Sequence, residues 1–394
     1  MRVFVKSIAD GPVLSSSGSL ALFSAALDGC VDKLRMRRRR PVDKRSTRRI
    51  MVGSVPVGGG APVSVQSMCN TDTRDVAATA AQIEALVAAG CEIVRCAVPD
   101  FEAAAALQGI CSASPIPVIA DIHFDYRLAV AAAQNGVAGL RINPGNIGAK
   151  WKVAEVVRVC VERNLPIRIG VNAGSLEKEL LARHGHATSE AIVESALGHL
   201  RLLEDLHFDA VKISVKASDI RRTVAAYRLL AAQTDCPLHL GITEAGTVWA
   251  GTIKSAIGIG ILLAEGLGDT LRVSLTGDPV KEVCAGWEIL RVLNLRQRGP
   301  TFISCPTCGR CQINLIAVAE EVEGALRGLN APLTIAVMGC SVNGPGEARE
   351  ADVGIAGGKG EGLLFRRGEV LRKVPEERLA EALVEEARRL AGEK

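Results

Sequence analysis

What the sequence lacks narrows the field first. No run of about 18 uninterrupted apolar residues occurs, and the most apolar stretch, Ile257 to Ala264, is broken by Gly258 and Gly260, so no membrane span is expected. Excess charge of one sign is also scarce. Lys and Arg number 47 against 43 Asp and Glu, a net +4 over 394 residues, and much of that surplus lies in the tract Arg35 to Arg49. Overall charge therefore gives no reason to expect nucleic acid, and any anion site must be local. A convincing secretory signal is missing too. The twelve cysteines accordingly read as reduced thiols, some of them metal ligands, in a cytoplasmic setting.

What is present suggests two domains after a poorly matched start. Residues 1–44 combine the Ser-rich Ser15 to Ser19, a short apolar patch and the basic run Met36 to Arg40. Asp10, Asp28 and Asp32 argue against a transit peptide, which is acid-poor. The expectation is a disordered extension, with Met36 as an alternative start.

From residue 63 onward short β-branched runs alternate with Ala-rich helical stretches. Eight strands are predicted: Val63 to Met68, Glu92 to Val98, Pro117 to Ile122, Gly139 to Asn143, Pro166 to Val171, Ala210 to Val215, Pro237 to Ile242 and Thr270 to Leu275. Eight βα units in about 230 residues fit a closed parallel barrel. The alternative, an open doubly wound sheet, lacks the glycine-rich dinucleotide turn that would open it.

Side chains alternate across a strand, so only one set can face the barrel interior. Here that set is polar: Arg141 with Asn143, Arg168 with Asn172, Lys212 with Ser214 and Lys216, His239 with Thr243, Arg272 with Ser274, and on other strands Arg95, Asp121 and His123. A purely structural barrel fills these layers with Val, Ile and Leu. Roughly six cations against Asp121 and Glu244 leave a positive surplus that a multiply charged anion would neutralise. Guanidinium groups suit diphosphate oxygens in particular. Asn143-Pro-Gly-Asn-Ile-Gly148 and the stretch Gly241 to Gly251 follow two of the strands. They offer backbone N–H groups to phosphate, although such residues more often serve turn geometry.

The βα rhythm stops near Leu295 to Pro300, which divides a barrel domain at 45–297 from a smaller α/β domain at 298–394. In the latter, strands are predicted at Phe302 to Ser304 and Leu333 to Val337, with helices around Asn314 to Arg327 and Glu376 to Leu390. Its chemical signal is Ser304-Cys-Pro-Thr-Cys-Gly-Arg-Cys311, followed by Met338-Gly-Cys-Ser-Val-Asn-Gly-Pro-Gly-Glu347. Cys305 and Cys308 are spaced to reach one metal centre, with Cys340 as a third ligand. Three centres stay open. An iron–sulfur cluster comes first. Structural zinc comes second, because the second half offers one Cys and no His. A redox dithiol comes third. Cys311 extends the run to C-x-x-C-x-x-C, and the plainer reading makes it a packed thiol.

The segments VQSMCNTDT, EIVRCAVP, ADIHFDYR, LRINPGNIG, RIGVNAGSLEKEL, VKISVKASD, LHLGITEAG, DTLRVSLTGDP, SCPTCGR and VMGCSVNGPGEA together resemble the 4-hydroxy-3-methylbut-2-enyl diphosphate synthase family of the bacterial two-domain type. The likeness runs from about Arg45 to the C-terminus. It implies a TIM barrel followed by a domain carrying a 4Fe-4S cluster, and reductive opening of 2-C-methylerythritol 2,4-cyclodiphosphate with two electrons from flavodoxin or ferredoxin. By motif position Cys305, Cys308, Cys340 and the Glu347 carboxylate would hold the cluster. Arg95, Arg141, Arg168, Asn172 and Lys212 would contact substrate, with Lys216 an alternative for the lysine. Asp121 and His123 would position substrate or relay protons. Glu244 resembles the carboxylate that protonates the leaving hydroxyl, a task that needs partial burial. The family's head-to-tail homodimers, in which one chain's cluster domain covers the other's barrel mouth, are implied as well. Departures from the family pattern are Cys69 in place of Thr, the extra Cys311 and the N-terminal extension. Two rivals remain on chemistry alone: a non-redox dehydration at a Lewis-acidic iron, and a zinc-stabilised protein that captures phosphorylated ligands.

Overall fold

The computed structural model describes residues 43–340 and 348–392. Apart from Asp43 and Lys44, the expected N-terminal extension lies outside the described residues, as does Glu347. The described chain opens with an antiparallel hairpin of β1 (Ile50–Val52) and β2 (Val55–Val57), turned at Gly53, whose φ is +55°.

Eight parallel strands follow: β3 (Ser64–Met68), β4 (Ile93–Ala97), β5 (Val118–Asp121), β6 (Gly139–Ile142), β7 (Ile167–Asn172), β8 (Val211–Lys216), β9 (His239–Leu240) and β10 (Thr270–Leu271). Their hydrogen-bonded order is β8-β7-β6-β5-β4-β3-β10-β9. The ring closes from β8 towards β9 through the Ile213 N–H, which donates to the Pro237 carbonyl at 2.9 Å, and the parallel bridge Ile213–Leu238. The expected eight-stranded barrel is present, with β9 and β10 shorter than the sequence suggested.

The main crossover helices are α1 (Val76–Ala88), α2 (Phe101–Ala113), α3 (Tyr126–Gln134), a single turn α4 (Pro144–Ile147), α5 (Lys150–Glu162), α6 (Lys178–His184), α7 (Ser189–Glu204), α8 (Ile220–Ala231), α9 (Val248–Ala264) and α10 (Pro279–Val292). Asp75, Asp100, Asp125, Asp219 and Asp278 each stand at an N-cap and accept a backbone N–H from the first turn, which satisfies an otherwise orphaned donor. Ile142, Ile169, Ile213 and Val215 on the strands are fully buried and belong to the apolar core between sheet and helices.

The hairpin, which the sequence reading missed, closes one end of the barrel. Ile50, Val52 and Val57 pack with Ile93 and Ile119 in a separate apolar cluster. Ile93 and Ile119 precede Arg95 and Asp121 by two residues on the same strand faces. Ile93 and Ile119 thus give this end of the interior an apolar patch below Arg95 and Asp121.

The second domain is a five-stranded sheet in sequence order: β11 (Thr301–Ser304), β12 (Thr334–Met338) and β13 (Val353–Gly357) run parallel, and β14 (Glu361–Arg366) and β15 (Glu369–Pro375) complete it antiparallel. Helices α11 (Leu315–Leu326) and α12 (Leu379–Ala391) supply Val322, Leu326, Leu379 and Leu383 to a core with Ile335, Val337 and Ile355. α12 ends at Gly392 in the left-handed region. No helix among the described residues is long and apolar enough to cross a membrane.

Candidate active site

Four neighbouring strands place Asp121, Arg141, Arg168 and Lys212 opposite one another in register. This row is sealed: Asp121 is 3% exposed, Arg141 7%, Arg168 3% and Lys212 1%. Asp121 takes Arg141 Nη1 at 3.1 Å and Arg95 Nε at 3.5 Å. Arg141 also donates to the Gly170 carbonyl at 3.2 Å. Glycine at 170 is what admits the guanidinium, because a Cβ there would stand 2.5 Å from Arg141 Nε. Gly241 does the same for Lys216, whose Nζ lies 2.3 Å from the Cβ position.

Six cations, Arg95, Arg141, Arg168, Lys212, Lys216 and Arg272, thus share the interior with two carboxylates. The second carboxylate is not Glu244, as the sequence count had it, but Glu282 on α10. Glu282 is 3% exposed and receives Arg272 Nε and Nη2 at 3.2 Å, Ser67 Oγ at 3.2 Å and the Leu275 N–H at 2.9 Å. Strand alternation could not reveal an acid that arrives from a helix. Met68 was overlooked as well: its sulfur lies between two guanidiniums, 2.8 Å from Arg95 Nη2 and 3.7 Å from Arg272 Nη1.

The charge imbalance shows in the protonation equilibria. Burial opposes ionisation of Asp121, but Arg95, Arg141 and Arg168 outweigh it and hold the carboxyl at about 2. Burial, offset in part by Asp121, brings Arg95 down to about 10. Burial together with Arg168 and Arg95 brings Lys212 down to about 7, and Lys216 and His239 are also pushed well below their ordinary values by burial and the surrounding cations. Arg168 Nε and Nη1, Lys212 Nζ and both ring nitrogens of His239 are buried without hydrogen-bond partners among the described residues. Native interiors rarely leave such donors unsatisfied, so these groups call for an acceptor that the described residues do not supply.

Other predicted residues lie apart from this row. Asn143 is buried, but its Oδ1 caps α4 by accepting the Gly145 N–H at 3.1 Å. Asn172 is half-buried at the end of β7, and His123 is exposed just beyond β5 beside Phe124. Glu244 is exposed in the loop after β9 and holds a left-handed φ of +51°, an uncommon geometry for a non-glycine residue. The partial burial expected of it is not provided by the described residues.

In the second domain the thiols gather at the C-terminal edge of two parallel strands. Cys305 follows β11 and Cys340 follows β12, and the Gly339 N–H donates to Cys305 Sγ at 3.2 Å. Cys308 is exposed, and the Arg310 backbone N–H, helped by its guanidinium, holds that thiol below its usual range. All eleven described cysteines are free. Among the described residues no three His, Cys, Asp or Glu side chains form a ligand group for a single metal ion. The donor set nonetheless suits a cluster: two thiols at adjacent strand ends and a third in the intervening turn, with N–H groups directed at sulfur. Cys311 instead donates to the Ile313 carbonyl at 3.3 Å and packs on Gly339.

A closed parallel barrel with a cation-rich interior, followed by a domain presenting thiols on a strand edge, defines a two-domain class of TIM-barrel protein. The GcpE TIM-barrel domain matches residues 47–287 and the GcpE protein C-terminal domain residues 301–389, and the chain belongs to the GcpE family. It is 70% identical over 351 residues to the 4-hydroxy-3-methylbut-2-en-1-yl diphosphate synthase (flavodoxin) of Geobacter sulfurreducens, covering 89% of this chain and 99% of that protein. The protein of the same name from Clostridium perfringens is 58% identical over 343 residues, with 87% and 98% covered. Among solved structures, 3-dehydroquinate dehydratase from Geobacillus kaustophilus HTA426 aligns with 63% of this chain and 98% of its own at TM-score 0.45 and 14% identity, a likeness too distant to argue from.

Proposed function

We propose that this chain is an oxidoreductase of isoprenoid biosynthesis that converts 2-C-methyl-D-erythritol 2,4-cyclodiphosphate into (E)-4-hydroxy-3-methylbut-2-enyl diphosphate and water, consuming two electrons and two protons. The observation that carries the reading from the structure is the buried row of Arg141, Arg168 and Lys212, short of acceptors; its match is a diphosphate. Family membership supplies the reaction. The working division is a substrate domain at 45–297 and a cluster domain at 298–394, in a cytoplasmic protein.

Arg95, Arg141 and Arg168 bind the diphosphate oxygens through charge-assisted hydrogen bonds. Lys216, four residues nearer the C-terminal end of β8 than Lys212, is the lysine an incoming ligand meets first. Arg272 is engaged by Glu282 and Met68, so it shapes the pocket wall, and Asn172 and His123 line the rim. Asp121 keeps Arg95 and Arg141 aimed inward. Glu244, on the loop beyond β9, delivers a proton to the leaving hydroxyl; its exposure fits a mouth that is covered during turnover by the cluster domain of a second copy in a head-to-tail dimer. Cys305, Cys308 and Cys340, with Glu347, would hold a 4Fe-4S cluster, which when bound supplies the two electrons drawn from flavodoxin or ferredoxin. A carboxylate would be a harder, more readily exchanged ligand than a thiolate.

The test is anaerobic purification with iron and sulfide analysis, then incubation with the cyclodiphosphate with and without reduced flavodoxin. About four irons per chain and product only with reductant are expected, with Glu347→Ala abolishing turnover. Zinc in place of iron, or turnover without electrons, would overturn the reading.

A further inference from the structure

Lys212 occupies an unusual place for a lysine. It is 1% exposed, its Nζ has no hydrogen-bond partner among the described residues, and its registered neighbour on β7 is Arg168, two of whose nitrogens also lack acceptors there. The groups around it are mostly cationic. Arg95 and Arg168 act on it directly. Arg141 enlarges the same positive field through Arg168, and Lys216 is subject to it as well. Asp121 is already paired with two arginines, Arg272 is held by Glu282, and His239 on β9 is itself buried and unpartnered. Gln66 on β3 brings an uncharged side chain. An ammonium sealed among guanidiniums, with no acceptor to receive its protons, is strongly disfavoured against the free amine.

We infer that, in mildly alkaline solution, Lys212 is uncharged before the ligand arrives and takes up one proton from solvent when the cyclic diphosphate settles on the arginine row. No bond of the substrate changes in this step: the amine and a solvent proton become an ammonium, which donates to the arriving oxygens. The inference rests on the proposed substrate. Two negative charges cancel the repulsion from Arg168 and Arg95, and an opposite charge in hydrogen-bonding range favours the protonated amine. Lys212 thus acts as a positioning residue that makes affinity depend on pH. Its titration near neutrality in the empty site fixes the sign. Below about pH 7 the ammonium is present before the ligand arrives and affinity is flat. Above it, affinity falls by up to about tenfold per pH unit until the bound-state value is reached.

The experiment is calorimetric titration of the oxidised, cluster-loaded enzyme, anaerobically and without reductant, with 2-C-methylerythritol 2,4-cyclodiphosphate in buffers of different ionisation enthalpy. Each phosphate of this ligand carries one ester and one anhydride link, leaving a single strongly acidic oxygen, so the ligand does not titrate in the window. The uptake that depends on Lys212, read as the difference between the native protein and Lys212→Met, is expected to rise from near zero at pH 6 to nearly one proton per site at pH 8.5. The same difference should persist in a His239→Gln background and in a Lys216→Met background, the latter with weaker affinity throughout. Equal uptake by the native protein and Lys212→Met at pH 8.5 would overturn the inference without touching the substrate reading. Failure of the cyclodiphosphate to bind at all would overturn that reading, and the inference with it.

Discussion

Asp121, Arg141, Arg168 and Lys212 sit within hydrogen-bonded strands, each no more than 7% exposed, whereas Cys305 and Cys308 stand on turns beyond a strand end, half-buried and exposed respectively. In the barrel, the sheet fixes the backbone and the packed interior fixes the rotamers, so the row of cations is set in place by the fold and carries the electrostatic cost of being there. On the strand edge of the second domain little is committed in advance. Cys305 packs only against the margin of the sheet's core, which is formed by residues such as Ile335, Val337 and Leu383. Stability and function should therefore separate cleanly in the second domain and be entangled in the first.

The largest expected effect tests that separation. Cys340→Ser should reduce bound iron and reductive turnover to background while leaving the cooperative unfolding transition in place, read by iron analysis and circular dichroism on the same sample. Loss of fold would show that the thiol edge is structural after all. In the barrel, Asp121→Asn leaves Arg95 and Arg141 without their shared counter-charge. Breaking a buried pair costs about 3–5 kcal/mol, measurable by urea unfolding. The native protein should show the same dependence on pH. Because the folded pKa of Asp121 is depressed to about 2 from 3.8, its contribution is present above about pH 4 and is lost as pH falls towards 2.

A subtler change is Gly170→Ala, whose Cβ would meet Arg141 Nε at 2.5 Å. Stability should drop by about 1–3 kcal/mol from overpacking, and kcat/KM should fall by about 10- to 100-fold as the guanidinium is displaced. An unaltered kcat/KM would show that Arg141 has more freedom than its packing implies. The smallest effect belongs to Cys311→Ser. The hydroxyl can keep the hydrogen bond to the Ile313 carbonyl, so iron content should be unchanged and stability should shift by less than about 1 kcal/mol. A marked loss of iron would make Cys311 a ligand.

Much of the barrel was readable from the amino-acid order. Strands buried against helices need long β-branched runs, and the repeat length of a βα unit spaces those runs evenly. The inward row was readable because period-two alternation puts Arg168 and Asn172, or Lys212 and Lys216, on one face. The β1–β2 hairpin was not, since two three-residue strands carry too little pattern. β13 to β15 escaped for a related reason: the stretch around Gly357, Gly358, Gly360 and Gly362 and the largely exposed β15 look like loop until the sheet is assembled.

The sequence by itself determined the eight-strand repeat, the cation-bearing strand faces and the spacing of Cys305, Cys308 and Cys340, because each depends on local periodicity or short-range order. Only the tertiary structure decided which acid balances the interior, since Glu282 reaches Arg272 from a helix that strand alternation does not describe. It also decided that Asn143 spends its oxygen on a helix cap, that Glu244 stands in the open, and that Lys212 is enclosed beside Arg168 with no acceptor. Charge, burial and pairing are properties of neighbours in space, and those neighbours are fixed only when the strands close into a ring.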